Sequence, residues 1–97
     1  MPKGYMISAH RSPADPEKSN AYRELAKPAL EKHGGKYLAG GGRVVAKENG
    51  VAERTILIEF ESFEAAVAAF ESNDYQAALK VLDGSADRDI RLFEGAE

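Results

Sequence analysis

The stretch RTILIEF at residues 54–60 constrains the fold of this chain more than any other segment. Its β-branched and aromatic residues favour a strand, and three apolar residues, Ile56, Leu57 and Ile58, follow one another within it. Side chains alternate between the two faces of a strand, so consecutive apolar residues point to both faces. The segment therefore predicts a strand that is buried on both sides. Each face of the sheet that contains it must then pack against another layer of structure.

Hydrophobic alternation predicts three further strands. They are residues 5–10, 36–47 and 89–94, of which the second is interrupted by the glycines at 40–42. These glycines suggest a bulge, a sharp bend or a close backbone approach. The turn signal Asn49-Gly50 predicts that the second strand and the strand at 54–60 form an antiparallel hairpin.

Two helical regions separate these strands. The first has Asp15 as its N-cap and ends at His33, and Pro28 inside its apolar pattern predicts a kink or a break. The second carries capping residues at both Ser62 and Ser72. This spacing predicts one broken helix or two short ones.

The predicted order of elements is β-α-β-β-α-β, which is the α+β, ferredoxin-like split arrangement. We expect one domain over residues 1–97, with a four-stranded antiparallel sheet and its helices on one face. The helices suffice for one face only, so the second apolar face needs another cover. A second copy of the same sheet is the simplest supplier, and we expect a homodimer with its sheets packed face to face.

Five glycines within residues 33–43 raise the question of a phosphate-binding loop. Such a loop runs from a strand into a helix N-terminus, where unpaired backbone N–H groups bind the anion. Here Gly34 and Gly35 follow the predicted C-terminus of the first helix instead. We expect Gly34 to adopt the left-handed conformation that commonly ends a helix, and we expect no phosphate site.

The composition argues against several classes of function. Thirteen basic and sixteen acidic residues give a formal net charge of −3, and no run of Lys or Arg interleaves with aromatic residues, so we expect no nucleic acid partner. The chain has no cysteine, which excludes disulfides, thiolate nucleophiles and cysteine-ligated metals. No segment approaches the ~20 apolar residues of a membrane span, and the N-terminal apolar stretch is too short for a signal peptide. We expect a cytoplasmic protein without a membrane partner.

Four stretches, GYMISA, HGGKYLAGGGR, ILIEFESFEAA and SNDYQAAL, follow one another along the chain. In their order and spacing they resemble the signature of a small bacterial family, domain of unknown function 1330, and the resemblance extends from Gly4 to Gly95. That family belongs to the dimeric α/β-barrel superfamily, whose members include antibiotic-biosynthesis monooxygenases and muconolactone isomerase-like proteins. The resemblance implies a barrel-like dimer and no particular activity. The first loop, HRSPADP, departs from the family pattern, so His10 and Arg11 could be particular to a subgroup.

Two histidines are candidates for catalysis. His33 lies in the last turn of the first helix, where it either caps the helix or acts as a general base in a cleft beside the sheet. His10 ends the first strand and is either an exposed strand-end residue or a catalytic group. The two lack the HxH or HxxxH spacing of metal ligands, so we expect no metal and no cofactor.

Glu59 is the most informative acidic residue, because it lies within the strongest strand. A buried carboxylate must be paired or have a raised pKa, and Arg43 and Arg54 are the obvious partners. The pairing would be a structural ion pair across the hairpin. Alternatively, Glu59 would take part in catalysis by holding an arginine that binds a carboxylate or enolate.

Two tyrosines complete the set of candidates. Tyr22 and Tyr75 lie on the apolar stripes of their helices and are either core residues or substrate-binding residues whose hydroxyls reach a cleft. No Ser-His-Asp set, P-loop or dinucleotide fingerprint occurs in the chain. The leading hypothesis is a small dimer that binds, and in the catalytic version transforms, a small organic molecule between sheet and helices without metal or thiol. The alternative is a non-catalytic ligand sensor or dimerisation module, and the sequence leaves open whether the chain is an enzyme.

Overall fold

Strands and helices follow one another in the predicted order. The structure is a computed structural model that describes residues 2–96. Its elements are β1 (Gly4–His10), α1 (Pro16–Lys32), β2 (Lys36–Ala39), β3 (Thr55–Phe60), α2 (Phe63–Glu71), α3 (Asn73–Leu82) and β4 (Arg88–Glu94). The strands form one antiparallel sheet in the order β2-β3-β1-β4. This is the α+β, ferredoxin-like arrangement that the sequence predicts.

Helix α1 begins and ends as its sequence predicts. The Asp15 carboxylate accepts a hydrogen bond from the backbone N–H of Lys18 at 3.0 Å, and His33 is the C-cap. A break at Pro28 is not observed, because the helix continues through this residue. Pro28 and Glu24 are both exposed, so water can reach the Glu24 carbonyl that loses its intrahelical partner.

Ser72 divides the second helical region into two helices, which confirms the prediction from its capping sequence. Its hydroxyl donates to the carbonyl of Ala69 at 2.7 Å and accepts from the backbone N–H of Tyr75 at 3.4 Å. Ser72 is therefore both the C-cap of α2 and the N-cap of α3. The resulting change of direction lets α3 pack against α1.

The hydrophobic core lies between the sheet and the three helices. Met6, Ile58 and Phe60 from the sheet are at most 2% exposed, and Tyr75 from α3 is fully buried. The helices contribute mainly alanines to this core, at positions 26, 29, 66, 69 and 78, and these small side chains allow the helices to approach the sheet closely. None of the helices within residues 2–96 is long and apolar enough to cross a membrane.

The two sides of the sheet differ in their covering. The side that the helices cover, called here the helix face, carries Met6, Ser8, His10, Ile56, Ile58, Phe60, Arg88, Ile90 and Leu92. The other side, called here the open face, carries Tyr5, Ile7, Ala9, Leu57, Glu59, Arg91 and Phe93. Within residues 2–96 no helix packs on the open face, where Phe93 is 42% exposed and stacks on Tyr5 with ring centroids 5.6 Å apart. The predicted second apolar face thus exists, and one chain leaves it uncovered.

The long second strand predicted for residues 36–47 is wrong. β2 ends at Ala39, its register with β3 shifts between Tyr37 and Ala39, and residues 40–54 form no strand. The physical reason is the glycine segment, in which Gly41 has a left-handed φ of 78° and turns the chain away from the ladder. A turn does form at the predicted place, where the Gly50 N–H donates to the Lys47 carbonyl at 2.8 Å, but it connects irregular segments rather than two strands.

Gly34 has the conformation that the sequence predicts. Its φ of 92° is in the left-handed region, and its N–H donates to the Glu31 carbonyl at 3.0 Å. The Gly35 N–H donates to the Leu30 carbonyl at 2.8 Å, so two carbonyls of the last helical turn are satisfied. These glycines therefore terminate α1 and direct the chain into β2.

Candidate functional site

An enclosed cavity of about 100 Å³ lies between α1 and the helix face of the sheet. Its apolar lining consists of Met6, Leu30, Ile56, Ile58 and Leu82, and its polar lining consists of Ser8, His10, Ser19, Tyr22, Arg23, Lys27, Tyr37, Arg54 and Arg88. The strands supply most of the apolar floor, whereas α1 and the strand ends supply most of the polar groups. An apolar cavity with a few convergent polar groups is the usual form of a small-molecule site.

A hydrogen-bonded chain of three side chains forms one wall of the cavity. The hydroxyls of Tyr22 and Tyr75 are 2.7 Å apart, and Arg88 Nη1 donates to the Tyr22 hydroxyl at 3.2 Å. The Arg88 guanidinium also lies over the Tyr22 ring, 5.0 Å from its centroid, and Nη1 is 3.5 Å from the Ser8 hydroxyl. This chain fixes the position of the arginine by a cation–π contact and two hydroxyl acceptors.

Burial favours the neutral form of two tyrosines of this region, Tyr75 and Tyr37. Tyr75 is fully buried, and burial followed by the neighbouring Tyr22 raises the pKa of its phenol far above the ordinary value. Burial, with smaller contributions from Tyr22 and Glu31, raises the pKa of Tyr37 to about 12. Neutral hydroxyls can donate hydrogen bonds at physiological pH, so the wall can stabilise a negatively charged oxygen.

His10 lies at the end of β1 and lines the cavity next to Arg54. The backbone N–H of His10 donates to the Arg54 carbonyl at 2.9 Å, which brings the two residues together. Burial lowers the pKa of the His10 imidazole, the cations Arg88 and Arg54 lower it further, and Glu53 opposes them. The imidazole is therefore neutral at pH 7 and can accept a proton, as a general base must.

The seven residues that the sequence singles out divide into two groups. Three of them, His10, Tyr22 and Arg54, line the cavity, and Tyr75 lies directly behind Tyr22 in its wall. His33 is exposed at the end of α1, where Nε2 lies 3.1 Å from Asp74 Oδ1 at the start of α3. The second group consists of His33, Arg43 and Glu59, none of which lines the cavity. Arg43 is exposed in the irregular segment after β2.

The predicted pairing of Glu59 with Arg43 or Arg54 is wrong. Glu59 lies on the open face, half-buried, and its Oε2 accepts a hydrogen bond from the Tyr5 hydroxyl at 3.4 Å. Within residues 2–96 it forms no ion pair. The reason is strand alternation, because Arg54 directs its side chain to the cavity on the helix face and Glu59 faces the other way.

Four charged or aromatic residues of the cavity were missed by sequence reasoning, namely Arg23, Lys27, Tyr37 and Arg88. Arg88 had a detectable signal: it precedes the predicted strand at 89–94 by one residue and shares the parity of Ile90 and Leu92. Extending the alternation backward by one position would have placed it on the helix face. The two α1 residues carry no such signal, since solvated lysines and arginines are common on helices.

No group of three potential ligands among His, Cys, Asp and Glu is arranged to hold a metal ion within residues 2–96. The polar groups of the cavity are hydroxyls, guanidinium groups, an ammonium and one imidazole. Cations and hydroxyl donors suit an anionic or carbonyl-bearing organic molecule better than a metal ion.

The profile of the family described as domain of unknown function (DUF1330) matches residues 3–96. Because the match extends over nearly the whole chain, this protein belongs to that family. The comparison with curated proteins gave no significant match.

Solved structures share the fold at low sequence identity. A protein of unknown function from Rhodopseudomonas palustris, RPA0582, is 18% identical, with 99% of this chain and 84% of that chain covered and a TM-score of 0.73. SnoaB, a cofactor-independent oxygenase from Streptomyces nogalater, is 8% identical, with 100% and 96% covered and a TM-score of 0.62. A dimeric ferredoxin-like protein of unknown function from Thermobifida fusca is 16% identical, with 96% and 91% covered and a TM-score of 0.54. At these identities the likeness establishes the fold.

Proposed function

We propose that this member of the domain of unknown function 1330 family binds a small organic molecule in the cavity between α1 and the sheet. The observation that carries the proposal is the convergence of His10, Tyr22, Arg54 and Arg88 on one enclosed apolar space. His10 and Arg88 come from two strands, Tyr22 comes from α1, and Arg54 directly precedes β3, so only the tertiary fold brings them together. Convergent polar groups with a perturbed histidine pKa mark the default binding site of a small domain.

The chemistry available at this site is acid–base chemistry without metal or thiol. The His10 imidazole supplies a base, and Tyr22 and Arg88, held in place by Tyr75, supply hydrogen-bond donors for an oxygen that becomes negatively charged. Abstraction of a proton next to a carbonyl group needs these two components, since the resulting enolate carries its charge on oxygen. SnoaB, which shares the fold, is a cofactor-independent oxygenase, and this supports the view that the fold can host catalysis without a cofactor.

A non-catalytic ligand sensor is the alternative, and one observation favours it. Three of the seven candidate residues, His33, Arg43 and Glu59, lie away from the cavity, so the predicted carboxylate Glu59 cannot assist His10 there. A sensor would bind the same kind of molecule and release it unchanged. Recovery of the unaltered ligand after prolonged incubation with the protein would favour the sensor over the enzyme.

A thermal-shift screen against small metabolites tests the binding proposal. A ligand that binds only the native state raises the melting temperature by mass action. In a Ser19→Trp variant the indole would fill the mouth of the cavity, so the shift should disappear. A Glu24→Trp variant places the same side chain on an exposed part of α1 away from the cavity and should keep the shift. Hits that persist in the Ser19→Trp variant would place the ligand elsewhere and contradict the proposal.

We further propose that the protein is a homodimer in which the two open faces pack against each other. The open face carries Ile7, Leu57 and Phe93, and no helix within residues 2–96 covers them. An apolar sheet face of this kind needs a cover in water. The Thermobifida fusca protein with this fold is dimeric, which supports the proposal.

A further inference from the structure

We infer that the ligand of the cavity is a small organic anion with an apolar body, such as a carboxylate. This inference rests on the proposed binding function and assigns the chemical class of its ligand. Four permanent cations line the cavity, namely Arg23, Lys27, Arg54 and Arg88, and no aspartate or glutamate lines it. The chain as a whole has a net charge of −3, so this local excess of positive charge is opposite to the overall balance.

The four cations are also without carboxylate partners in the part of the chain that the structure describes. The ion pairs of residues 2–96 use Arg11, Lys18, His33 and Arg91, none of which lines the cavity. Lys27 instead lies over the Tyr37 ring, 5.8 Å from its centroid, and Arg88 is bound to neutral hydroxyls. Grouped like charges repel one another, and partial burial strengthens the repulsion. A bound anion would relieve it.

The apolar lining determines what the rest of the ligand must be. Met6, Leu30 and Ile58 are at most 2% exposed and form the floor of the cavity. An inorganic anion would make no favourable contact with this apolar floor, whereas an aliphatic or aromatic group would pack against it. The combination of a cationic rim and an apolar floor therefore favours an organic acid over inorganic phosphate.

Arg54 is the cation best placed to bind the acid group. It lines the cavity and also three shallower grooves that adjoin it. One of these grooves, beside residues 12–16, is lined by His10 and by two cations, Arg23 and Arg54, against one carboxylate, Glu53. Arg54 therefore lies where the cavity opens to solvent, and the structure gives its guanidinium no carboxylate partner within residues 2–96. In this arrangement Arg54 and Arg23 bind the carboxylate at the mouth, and the body of the ligand extends inward toward Ile58.

Two pairs of probes that differ in charge but hardly in shape test this inference. They are benzoate with benzamide and hexanoate with hexanamide, and binding is followed through the amide signals of β1 and α1 in nitrogen-15 NMR spectra. We expect at least one carboxylate to bind about tenfold or more tightly than its amide, since a charged hydrogen-bonded pair contributes that much. An Arg54→Gln variant should lose the preference and an Arg54→Lys variant should retain part of it. A Lys80→Gln variant removes an exposed charge on α3 and should behave as the wild type.

The possible outcomes separate the two proposals. Equal binding of carboxylates and amides in the cavity would overturn the anion inference and leave the binding proposal standing. Binding of inorganic phosphate as tightly as the carboxylates would overturn the requirement for an apolar body. If none of the four organic probes perturbs the cavity signals, the anion inference is contradicted, and the thermal-shift screen alone decides the binding proposal. A carboxylate preference that survives in Arg54→Gln would exclude Arg54 as the anchor.

Discussion

The two faces of the sheet are built from alternate residues of the same strands, yet they present opposite chemistry. In β1, Ser8 and His10 point to the helix face and line a cavity, whereas Ile7 and Ala9 point to the open face. The helix face is therefore enclosed and polar at its edge, and the open face is exposed and mainly apolar. This difference indicates a division of labour, with ligand binding on one side of a strand and assembly on the other.

Charged residues follow the same division. On the open face, Arg91 makes two hydrogen bonds of 3.1 Å to the Asp89 carboxylate, and Arg11 lies 3.9 Å from the same group. On the helix face, Arg54 and Arg88 have no carboxylate partner within residues 2–96. The Arg91–Asp89 pair neutralises its own charge, whereas no carboxylate neutralises Arg54 or Arg88 within residues 2–96; Glu59 on the open face is an exception, since it forms no ion pair either. Substitutions on each face test this difference.

The largest effect is expected from a charge on the open face. In a Leu57→Lys variant an unpaired ammonium would be buried in the proposed dimer interface, at a cost of about 3 kcal/mol or more. The dissociation constant of the dimer should rise by a factor of about 100 or more. Analytical ultracentrifugation of the variant should show monomers where the wild type is dimeric.

The control for this experiment places the same charge on the outer side of a helix. Ala77 is exposed on α3, so Ala77→Lys should leave the assembly unchanged. A wild-type protein that sediments as a monomer at micromolar concentration would refute the dimer, and so would a Leu57→Lys variant that dimerises normally. In both cases the open face would need another cover.

The next largest effect is expected on the free energy of unfolding when one tyrosine hydroxyl is removed from each face. Tyr22→Phe removes the partner of the buried Tyr75 hydroxyl and an acceptor of Arg88, which should lower the free energy of unfolding by about 1–3 kcal/mol. Tyr5→Phe removes only a 3.4 Å hydrogen bond to the half-buried Glu59, and we expect a loss below about 0.5 kcal/mol. Urea denaturation in the Leu57→Lys background would keep dimerisation out of both measurements. Equal losses for the two variants would contradict the assigned difference between the faces.

The sequence predicted the two faces of the sheet more completely than it predicted the residues of the cavity. The capping residues Asp15 and Ser72 are local signals, and the structure confirms both caps. The consecutive apolar residues of β3 predicted two apolar faces because strand alternation needs no tertiary information. The cavity, by contrast, joins residues as far apart as Ser8 and Arg88, which only the folded sheet makes adjacent.

Two errors have different physical origins. The hairpin was predicted too long because Gly41 adopts a left-handed conformation that periodicity cannot reveal. The pairing of Glu59 with Arg54 was an error of a different kind. Glu59 lies five positions after Arg54. Because five is an odd number, strand alternation alone places the two side chains on opposite faces. The parity of the two positions was visible in the sequence, but the pairing was predicted because the two residues are close along the chain.

A smaller effect is expected where the chain turns from α1 into β2 at the border of the cavity. Gly34 has a φ of 92°, and an added Cβ would meet no atom within 4 Å, so Gly34→Ala carries only the backbone penalty of about 1 kcal/mol. Gly42 also has open space around an added Cβ, but it lacks a positive φ. Gly42→Ala should therefore be close to neutral in the same urea denaturation. An equal loss at both positions would remove the special role of Gly34.

The smallest effect concerns the protonation of His10, whose side chain is partly exposed to solvent. Burial and the cations Arg88, Arg54 and Arg23 lower the pKa of its imidazole below the ordinary value of 6.5, against the opposing Glu53 carboxylate. The unfolded chain then binds more protons than the folded one at pH values below about 6.5. His10 therefore contributes its full stability above that pH, and this contribution is lost as the pH falls through the folded-state pKa.

A bound carboxylate adds a negative charge next to the His10 imidazole and must raise its pKa. By linkage, a lower pH must then strengthen carboxylate binding. NMR titration of the His10 ring protons with and without benzoate measures both statements, and a His10→Gln variant should bind benzoate with less dependence on pH. A His10 pKa at or above 6.5 in the free protein, or one that benzoate leaves unchanged while it binds, would show that His10 does not share the cationic cavity with the ligand, and the helix face would then lose its proposed base.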